Sequence, residues 1–207
     1  MFNVIRLIDT VDEAARDRLL EKLRTATDGI GADEHLVRPT LAGVRNGGDI
    51  LLLLRFPDVS QWLSCAGAVD SVLADPAVTH VNGATYHGRL VPTTNTTGTV
   101  YRTLLLRVEP DTDEVTLARF EDDLRLLPRY VTSIHSWQLS HVESATGTSS
   151  WTHVFEQEFR DLAGLTGPYL MHPIHWAYVD RWFDPECPNV IIRDRVCHSY
   201  CALDGER

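Results

Sequence analysis

The chain has 207 residues, of which 43% are hydrophobic and 23% are charged, a balance typical of an ordinary globular protein. This length allows one large domain, or two of about 100 residues that each bury a core. A net charge of −10 argues against nucleic acid or an anionic membrane as the main partner. No apolar run reaches the roughly 18 residues of a membrane span, and the N-terminus does not resemble a signal peptide. We therefore expect a cytoplasmic protein with reduced cysteines.

The first half of the chain predicts the element order β-α-β-β-α-β. Apolar alternation places its strands at residues 4–8, 34–41, 49–56 and 85–91. Residues 50–54 are apolar at every position, so both faces of the third strand should be covered. A hairpin turn is expected at residues 46–48, which read Asn-Gly-Gly.

Polar residues mark the expected helix starts in this half. Thr10 is followed three residues later by Glu13, the pattern of a capping box. Asp58 is the expected N-cap of the second helix. Asp75 and Pro76 predict the start of a further short helical piece, since proline is favoured in the first helical turn.

The same order recurs after a threonine-rich linker at residues 92–99. Strands are expected at residues 100–108, 131–142 and 151–159, with a hairpin turn at 144–149. Asp111, with Glu114 three residues later, is the expected cap of the helix between the first two of these strands. Asp161 follows a strand-closing phenylalanine just as Asp58 does.

This recurrence predicts a tandem duplication, with a first repeat at residues 1–91 and a second at residues 100–207. One β-α-β-β-α-β unit leaves a face of its four-stranded sheet bare, and that face must be buried. We therefore expect an α+β fold in which two ferredoxin-like repeats pack sheet to sheet as an intramolecular dimeric α/β barrel. Such a pseudo-dimer leaves a further homodimer possible.

The densest group of proton-handling residues is the sequence Tyr169-Leu-Met-His172-Pro173-Ile-His175. Pro173 fits the first position of a helix, so His172 should be its N-cap and His175 should lie in the first turn. Upstream, strand alternation puts His153 on one face with Phe155, Gln157 and Phe159. A strand histidine facing a helix-end histidine and tyrosine would form a mostly apolar pocket with a few polar groups, typical of small-molecule sites.

These motifs resemble the Dabb family, the stress-responsive dimeric α/β-barrel proteins. The resemblance rests on Thr-His-Val at the start of the strand, a phenylalanine closing it, and the pattern Tyr-x-x-His-Pro-x-His, and it covers residue 100 to the C-terminus. In a plant polyketide cyclase of that family the tyrosine and the last histidine are the catalytic pair, which implies roles for Tyr169 and His175. The strand histidine corresponds to His153. A further pocket histidine of that enzyme falls on Arg102, where this chain departs from the family.

Only the second half has these groups. The first half has Ile50, Val72, Asp75 and Val78 at the positions that correspond to His153, Tyr169, His172 and His175. We therefore expect the first repeat to be a scaffold with a degenerate site, and the second repeat to contain the site.

The resulting hypothesis is an enzyme without an organic cofactor or metal whose site is a pocket of the barrel in the second repeat. It would move protons on a small ketone- or polyketide-like substrate, by cyclase, aldol or lyase chemistry. His175 would be the general base, Tyr169 would hydrogen-bond a carbonyl as enolate charge develops, and His153 would assist. Arg102 would bind a substrate carboxylate or carbonyl through its guanidinium fork. The remaining substrate-binding candidates are His172, Trp151 and Trp176.

Several alternatives are open at this stage. His172, His175 and His153, with Glu156 or Asp180, offer nitrogen and oxygen donors for a metal, and a single histidine could bind haem. The other two alternatives are a non-catalytic, stress-responsive ligand-binding barrel and a cofactor-free oxygenase.

The cysteine-containing tail does not match a standard zinc spacing. Strand alternation there puts Cys197 and Cys201 on one face and His198 and Tyr200 on the other. We interpret these cysteines, together with Cys187, as small thiols of the core.

Overall fold

A computed structural model describes residues 1–193 and 196–203. The first half contains four strands and two helices in the predicted order. The strands are β1 (Phe2–Thr10), β2 (Glu34–Pro39), β3 (Ile50–Phe56) and β4 (Val78–His87), and the helices are α1 (Glu13–Thr27) and α2 (Val59–Leu73).

The second half repeats this order, with a different ending. Its strands are β5 (Val91–Pro92), β6 (Val100–Leu106), β7 (Ile134–Thr146), β8 (His153–Phe159) and β9 (Cys197–Ala202). Helix α3 (Glu114–Tyr130) follows β6. After β8, where the first half has one regular helix, the chain forms the short helix α4 (Leu162–Gly164), two π-helical turns (Leu165–Tyr169 and His175–Val179) and a 3-10 turn (Asp180–Trp182).

One antiparallel sheet runs through both halves in the order β2-β3-β1-β4-β7-β8-β6-β9. Each half contributes a ferredoxin-like set of four strands, and the sets join where β4 pairs with β7. At the other junction, the backbone N–H of Leu41 donates to the Tyr200 carbonyl over 3.0 Å, and Arg45 and His198 exchange two backbone hydrogen bonds. The sheet is thereby nearly closed, and the predicted fold class, an α+β barrel of ferredoxin-like type, is confirmed.

Side-chain alternation divides the core into three parts. The barrel interior is filled by side chains that include Leu51, Leu53, Leu105 and Val154. Each half then has its own cluster between the outer face of its sheet and its helices. All seven residues of β3 are buried, so the prediction that both its faces are covered is confirmed.

The helix caps are aspartates, and two of them are not the residues predicted. Asp12 rather than Thr10 caps α1, its carboxylate accepting from the N–H of Ala15 over 2.7 Å, while the Thr10 hydroxyl donates to Asp49. Asp113 rather than Asp111 caps α3. In both cases a carboxylate lies directly before the first helical residue, where it reaches the free N–H groups best. Asp58 and Asp161 cap as predicted.

Two predictions of local structure in the first half were wrong. The segment at Asp75 is a turn instead of a helix, because the Asp75 carboxylate accepts from the N–H of Ala77. Strand β4 begins at Val78 instead of residue 85, running through Gly83, where a Cβ would lie 2.4 Å from the Ile5 carbonyl oxygen. The Asn-Gly-Gly sequence belongs to a longer connection, residues 40–49, that reaches across to β9. Among the described helices, none combines the length and the apolar character needed to cross a bilayer.

A buried ion pair joins the two halves inside the barrel. Arg55 on β3 donates to Glu156 on β8 over 2.9 Å, and the side chains are 2% and 0% exposed. Asn3 accepts a further bond from Arg55 over 3.0 Å, and the Tyr101 hydroxyl donates to Glu156. Removing one partner of such a pair leaves an uncompensated charge in a medium that solvates it poorly.

Replacement of Arg55 by Met should therefore lower the free energy of unfolding by about 3–5 kcal/mol, measured by urea denaturation. The double variant Arg55→Met/Glu156→Leu removes both charges and should recover most of this loss. Equal losses in the single and the double variant would contradict the interpretation.

Candidate functional site

A cavity of about 380 Å³ lies between the outer face of the second-half sheet and the π-helical segment. The hypothesis assumed a pocket within the barrel, but the barrel interior is filled by apolar side chains and the Arg55–Glu156 pair. The cavity is mostly apolar with a few polar groups. Its polar lining consists of Arg45, Arg102, Thr166, Tyr169, His175, Asp180, His198 and Tyr200.

Arg102 is the central charged group of this cavity. Strand alternation in β6 turns Tyr101 into the barrel and Arg102 outward. Arg102 is 4% exposed, and its guanidinium donates to Nε2 of His198 over 2.9 Å, to the Tyr169 hydroxyl over 3.0 Å and to Gln157. Its carbon also lies 4.9 Å from the centroid of the Tyr169 ring. Burial lowers the pKa of Arg102, which means that the folded chain provides little compensation for its charge.

Tyr169 and His175 meet in the same cavity, as predicted. Their ring centroids are 5.1 Å apart and the rings are nearly perpendicular. Nδ1 of His175 lies 3.1 Å from a carboxylate oxygen of Asp180, but the contact is not aligned as a hydrogen bond. Burial lowers the pKa of His175, Arg102 lowers it further and Asp180 opposes the shift. The imidazole is therefore neutral near pH 7 and available as a base.

The π-helical turns explain how the two rings come together. Leu165–Tyr169 and His175–Val179 have the wider π hydrogen-bond pattern, with Pro168 inside the first turn. Proline removes a helix donor, and π turns are rare and are frequently found at functional sites. Tyr169 ends the first turn and His175 begins the second, so both face the sheet across the cavity.

His172 forms the predicted cap and does not line the cavity. Its Nδ1 accepts from the N–H of Ile174 over 3.2 Å, just after the helical Pro173. Trp176 is 60% exposed and also lies outside the cavity lining. Trp151 is buried at a different, smaller cavity near the end of the barrel. The structure therefore does not bring these three candidates to Arg102.

His153 lies at the far end of β8. Gln157 pairs with Arg102 in the sheet, and His153 pairs with Leu106, four residues further along. That separation is about 13 Å along a strand. His153 instead contacts Glu121 and His141, and burial lowers its pKa to about 4, with a smaller contribution from His141.

The structure does not bring together the ligands of the alternative metal site. His153 does not converge with His172 and His175 among the described residues. Glu156, the carboxylate considered for that set, is inside the barrel with Arg55.

Most of the lining residues were absent from the sequence-based site, among them His198, Tyr200, Gly43 and Arg45. His198 and Tyr200 come from β9, whose alternation was predicted correctly: Cys197 and Cys201 are inside the barrel, and burial raises the pKa of each thiol to about 12. That alternation alone could have indicated His198. Gly43 and Arg45 come from the first half, and no local pattern marks them.

Comparison with known proteins agrees with this fold. Residues 100–197 match the family profile described as the stress responsive A/B barrel domain, Dabb. This match confirms the resemblance that the motifs of the second half indicate. No protein of curated function shows significant sequence similarity to the chain.

Solved structures resemble the whole chain in shape. An anthrone oxidase-like protein has a TM-score of 0.69 at 10% identity, with 99% of this chain and 94% of that chain covered. A mutant chlorite dismutase from Candidatus Nitrospira defluvii has a TM-score of 0.56 at 8% identity, with 96% and 90% covered. A candidate monooxygenase from Lactobacillus acidophilus has a TM-score of 0.52 at 10% identity, with 98% and 99% covered. At these identities the likeness establishes the fold alone.

The His198–Arg102 contact makes stability sensitive to acid. Burial, with Arg102 and Arg45 nearby, lowers the pKa of His198 to about 2, whereas an unfolded histidine titrates near 6.5. Below that pH the unfolded chain binds a proton that the folded chain does not. Stability is therefore lost as pH falls, by up to about 1.4 kcal/mol per pH unit from this group.

We expect His198→Gln, which retains an acceptor for Arg102, to flatten the decline in unfolding free energy between pH 6 and 4.5. The measurement is urea denaturation at several pH values, with the exposed His87→Gln as control. Equal slopes in the wild type and His198→Gln would contradict this origin of the acid sensitivity.

Proposed function

We propose that the protein is a cofactor-independent acid–base enzyme that acts on a small, anionic, ketone- or polyketide-like substrate in the cavity around Arg102. One observation carries the proposal: a neutral histidine and a tyrosine face a buried guanidinium across a cavity. This combination provides a base, a hydrogen-bond donor and a positive charge. Each of these groups favours proton removal from a carbon next to a carbonyl, the base by taking the proton and the other two by stabilising the enolate.

His175 is the proposed base. The ring is half-buried, and its lowered pKa keeps it unprotonated at neutral pH. A neutral imidazole takes a proton from the carbon next to a substrate carbonyl, which leaves an enolate. Asp180, 3.1 Å from Nδ1, then stabilises the imidazolium that forms.

Tyr169 and Arg102 are the proposed stabilisers of negative charge. The Tyr169 hydroxyl accepts from Arg102, so its own proton is available for the enolate oxygen. Arg102 has no carboxylate partner among residues 1–193 and 196–203 within the distance of an ion pair. A buried cation of this kind favours a substrate carboxylate or enolate, which restores charge balance.

An aldol cyclisation satisfies this arrangement. The enolate carbon of the substrate forms a bond to a second carbonyl carbon in the same molecule, and the electrons of that carbonyl move to its oxygen. The resulting alkoxide takes the proton from the His175 imidazolium, which returns the base to its starting state. The cavity volume is within the range of about 300–1,000 Å³ that small-molecule sites occupy.

Oxygenation of a phenol or anthrone is a second candidate, favoured by the shape likeness to an anthrone oxidase-like protein. The same base would generate a carbanion, which would transfer one electron to dioxygen as the oxidant. The substrate radical and superoxide would combine to a peroxide, which after protonation would lose water and leave a new carbonyl. Oxygen consumption with an anthrone separates this reaction from cyclisation, which consumes none.

Replacement of His175 by Ala should lower turnover of a linear triketide carboxylate by about 10²–10⁴-fold, because general base catalysis is lost. Tyr169→Phe should cost about 10²–10³-fold, the usual effect of one donor to an oxyanion. Product formation is followed by chromatography and by deuterium exchange at the carbon between the carbonyls.

His172→Ala is the matched control, since this histidine belongs to the same motif but caps the backbone. It should retain activity within a few-fold of the wild type. A non-catalytic ligand-binding barrel would show no turnover and no exchange in any variant.

Arg102→Met should remove the preference for anions. The wild type should bind the triketide carboxylate more tightly than its methyl ester, and the variant should lose about 10–100-fold in affinity for the acid alone, since hydrogen bonds to charged groups contribute about 1.5–3 kcal/mol. Calorimetric titration of both ligands measures this. Equal losses for acid and ester would indicate a packing role for Arg102.

A further inference from the structure

Three donor side chains converge on the outer face of the second-half sheet, away from the cavity. Oε1 of Glu121 on α3 lies 2.6 Å from Nε2 of His141 on β7 and 3.4 Å from Nε2 of His153 on β8. The donor atoms all lie within 4.8 Å of one another, and no other group of this kind occurs in the part of the chain that the structure describes. We propose that Glu121, His141 and His153 form a binding site for a divalent transition-metal ion such as Zn²⁺.

The three donors are held on rigid elements. His141 and His153 are directly opposed on neighbouring antiparallel strands, with ring centroids 4.8 Å apart. Helix α3 places Glu121 above them. The second carboxylate oxygen of Glu121 accepts from Arg125 over 2.7 Å, which leaves Oε1 directed at the histidines. Binding of an ion therefore requires little further ordering of the three donor side chains.

The surroundings of His153 suit a metal ligand. Its Nδ1 lies 2.8 Å from the Thr152 hydroxyl, which fixes the ring and can hold the proton on that nitrogen. Nε2 then directs a lone pair at a carboxylate oxygen of Glu121, and these two electron-rich atoms repel each other. A cation bound between them attracts both. The His153 side chain is 3% exposed, so bulk water has little access to relieve this repulsion in place of a cation.

The donor set indicates the class of ion. Two imidazoles and one carboxylate suit Zn²⁺, Co²⁺ or Ni²⁺ better than Mg²⁺ or Ca²⁺, which prefer oxygen donors. Ligands of a tetrahedral zinc lie about 3.3 Å apart, as follows from metal–ligand distances of about 2.0 Å. Small side-chain rotations reach this from the present separations. The His141 side chain is 67% exposed, so solvent can complete the coordination.

This site is separate from the proposed substrate cavity. Phe120 contacts the His153 ring, with centroids 5.7 Å apart, and packs 6.4 Å from the ring of Phe183, which lines the cavity. None of the three donors lines that cavity. Metal binding here is therefore independent of whether Arg102 and His175 act on a substrate.

The test is titration of the chelator-treated full chain with Co²⁺, followed by its visible absorption, and with Zn²⁺ by calorimetry. We expect one ion per chain. His141→Ala, an exposed change that the fold tolerates, and Glu121→Gln should each weaken binding by at least about 10–100-fold, since even outer-shell changes have effects of that size. Zn²⁺ should raise the unfolding midpoint of the wild type but not of His141→Ala.

His87→Ala is the matched control. His87 is an exposed histidine 3.1 Å from Glu143, but no third donor accompanies this pair among the described residues. The His87→Ala variant should bind Zn²⁺ as tightly as the wild type does. Equal affinity in the wild type and His141→Ala, or equal weakening in His87→Ala, would overturn the proposal and leave the cluster as a hydrogen-bonded tie between α3 and the sheet.

Discussion

The Arg55–Glu156 ion pair determines how the interior of the barrel is filled. It joins a strand of each half in the centre of the barrel, where Asn3 and Tyr101 complete its hydrogen bonds. A buried charged pair has to be closely packed, so the centre of the barrel is occupied by protein groups. The cavity of about 380 Å³ lies instead on the outer face of the second-half sheet, beneath the helices.

Both chemical centres lie on that outer face of the second half. Alternation in β8 sends Glu156 inward, whereas Gln157 and His153, four residues apart, face outward. Gln157 accepts a hydrogen bond from Arg102, and His153 contacts Glu121. One strand thus holds the central ion pair and supports two distinct outer sites.

Much of the fold could be predicted from the sequence, because it rests on local signals. Strand alternation and repeated element order predicted the barrel, and the tyrosine–histidine motif predicted the contact of Tyr169 with His175. Two caps were predicted two residues too early, because an aspartate directly before the first helical residue is the actual cap. Alternation predicted the outward face of His153, but the strand register, which places it four residues from the partner of Arg102, is not contained in a local pattern. Arg45 reaches the cavity only through tertiary contact, which no local pattern contains.

The connection at residues 40–49 has a consequence for how the protein behaves on dilution. It closes the sheet through Leu41 and Arg45, and Arg45 also forms part of the cavity wall. In a barrel made of two separate chains, that wall would come from a partner and would be lost when the partner dissociates. Here both halves belong to one chain, so the encounter is intramolecular and its effective concentration is set by the linker. The cavity should therefore stay complete at any protein concentration.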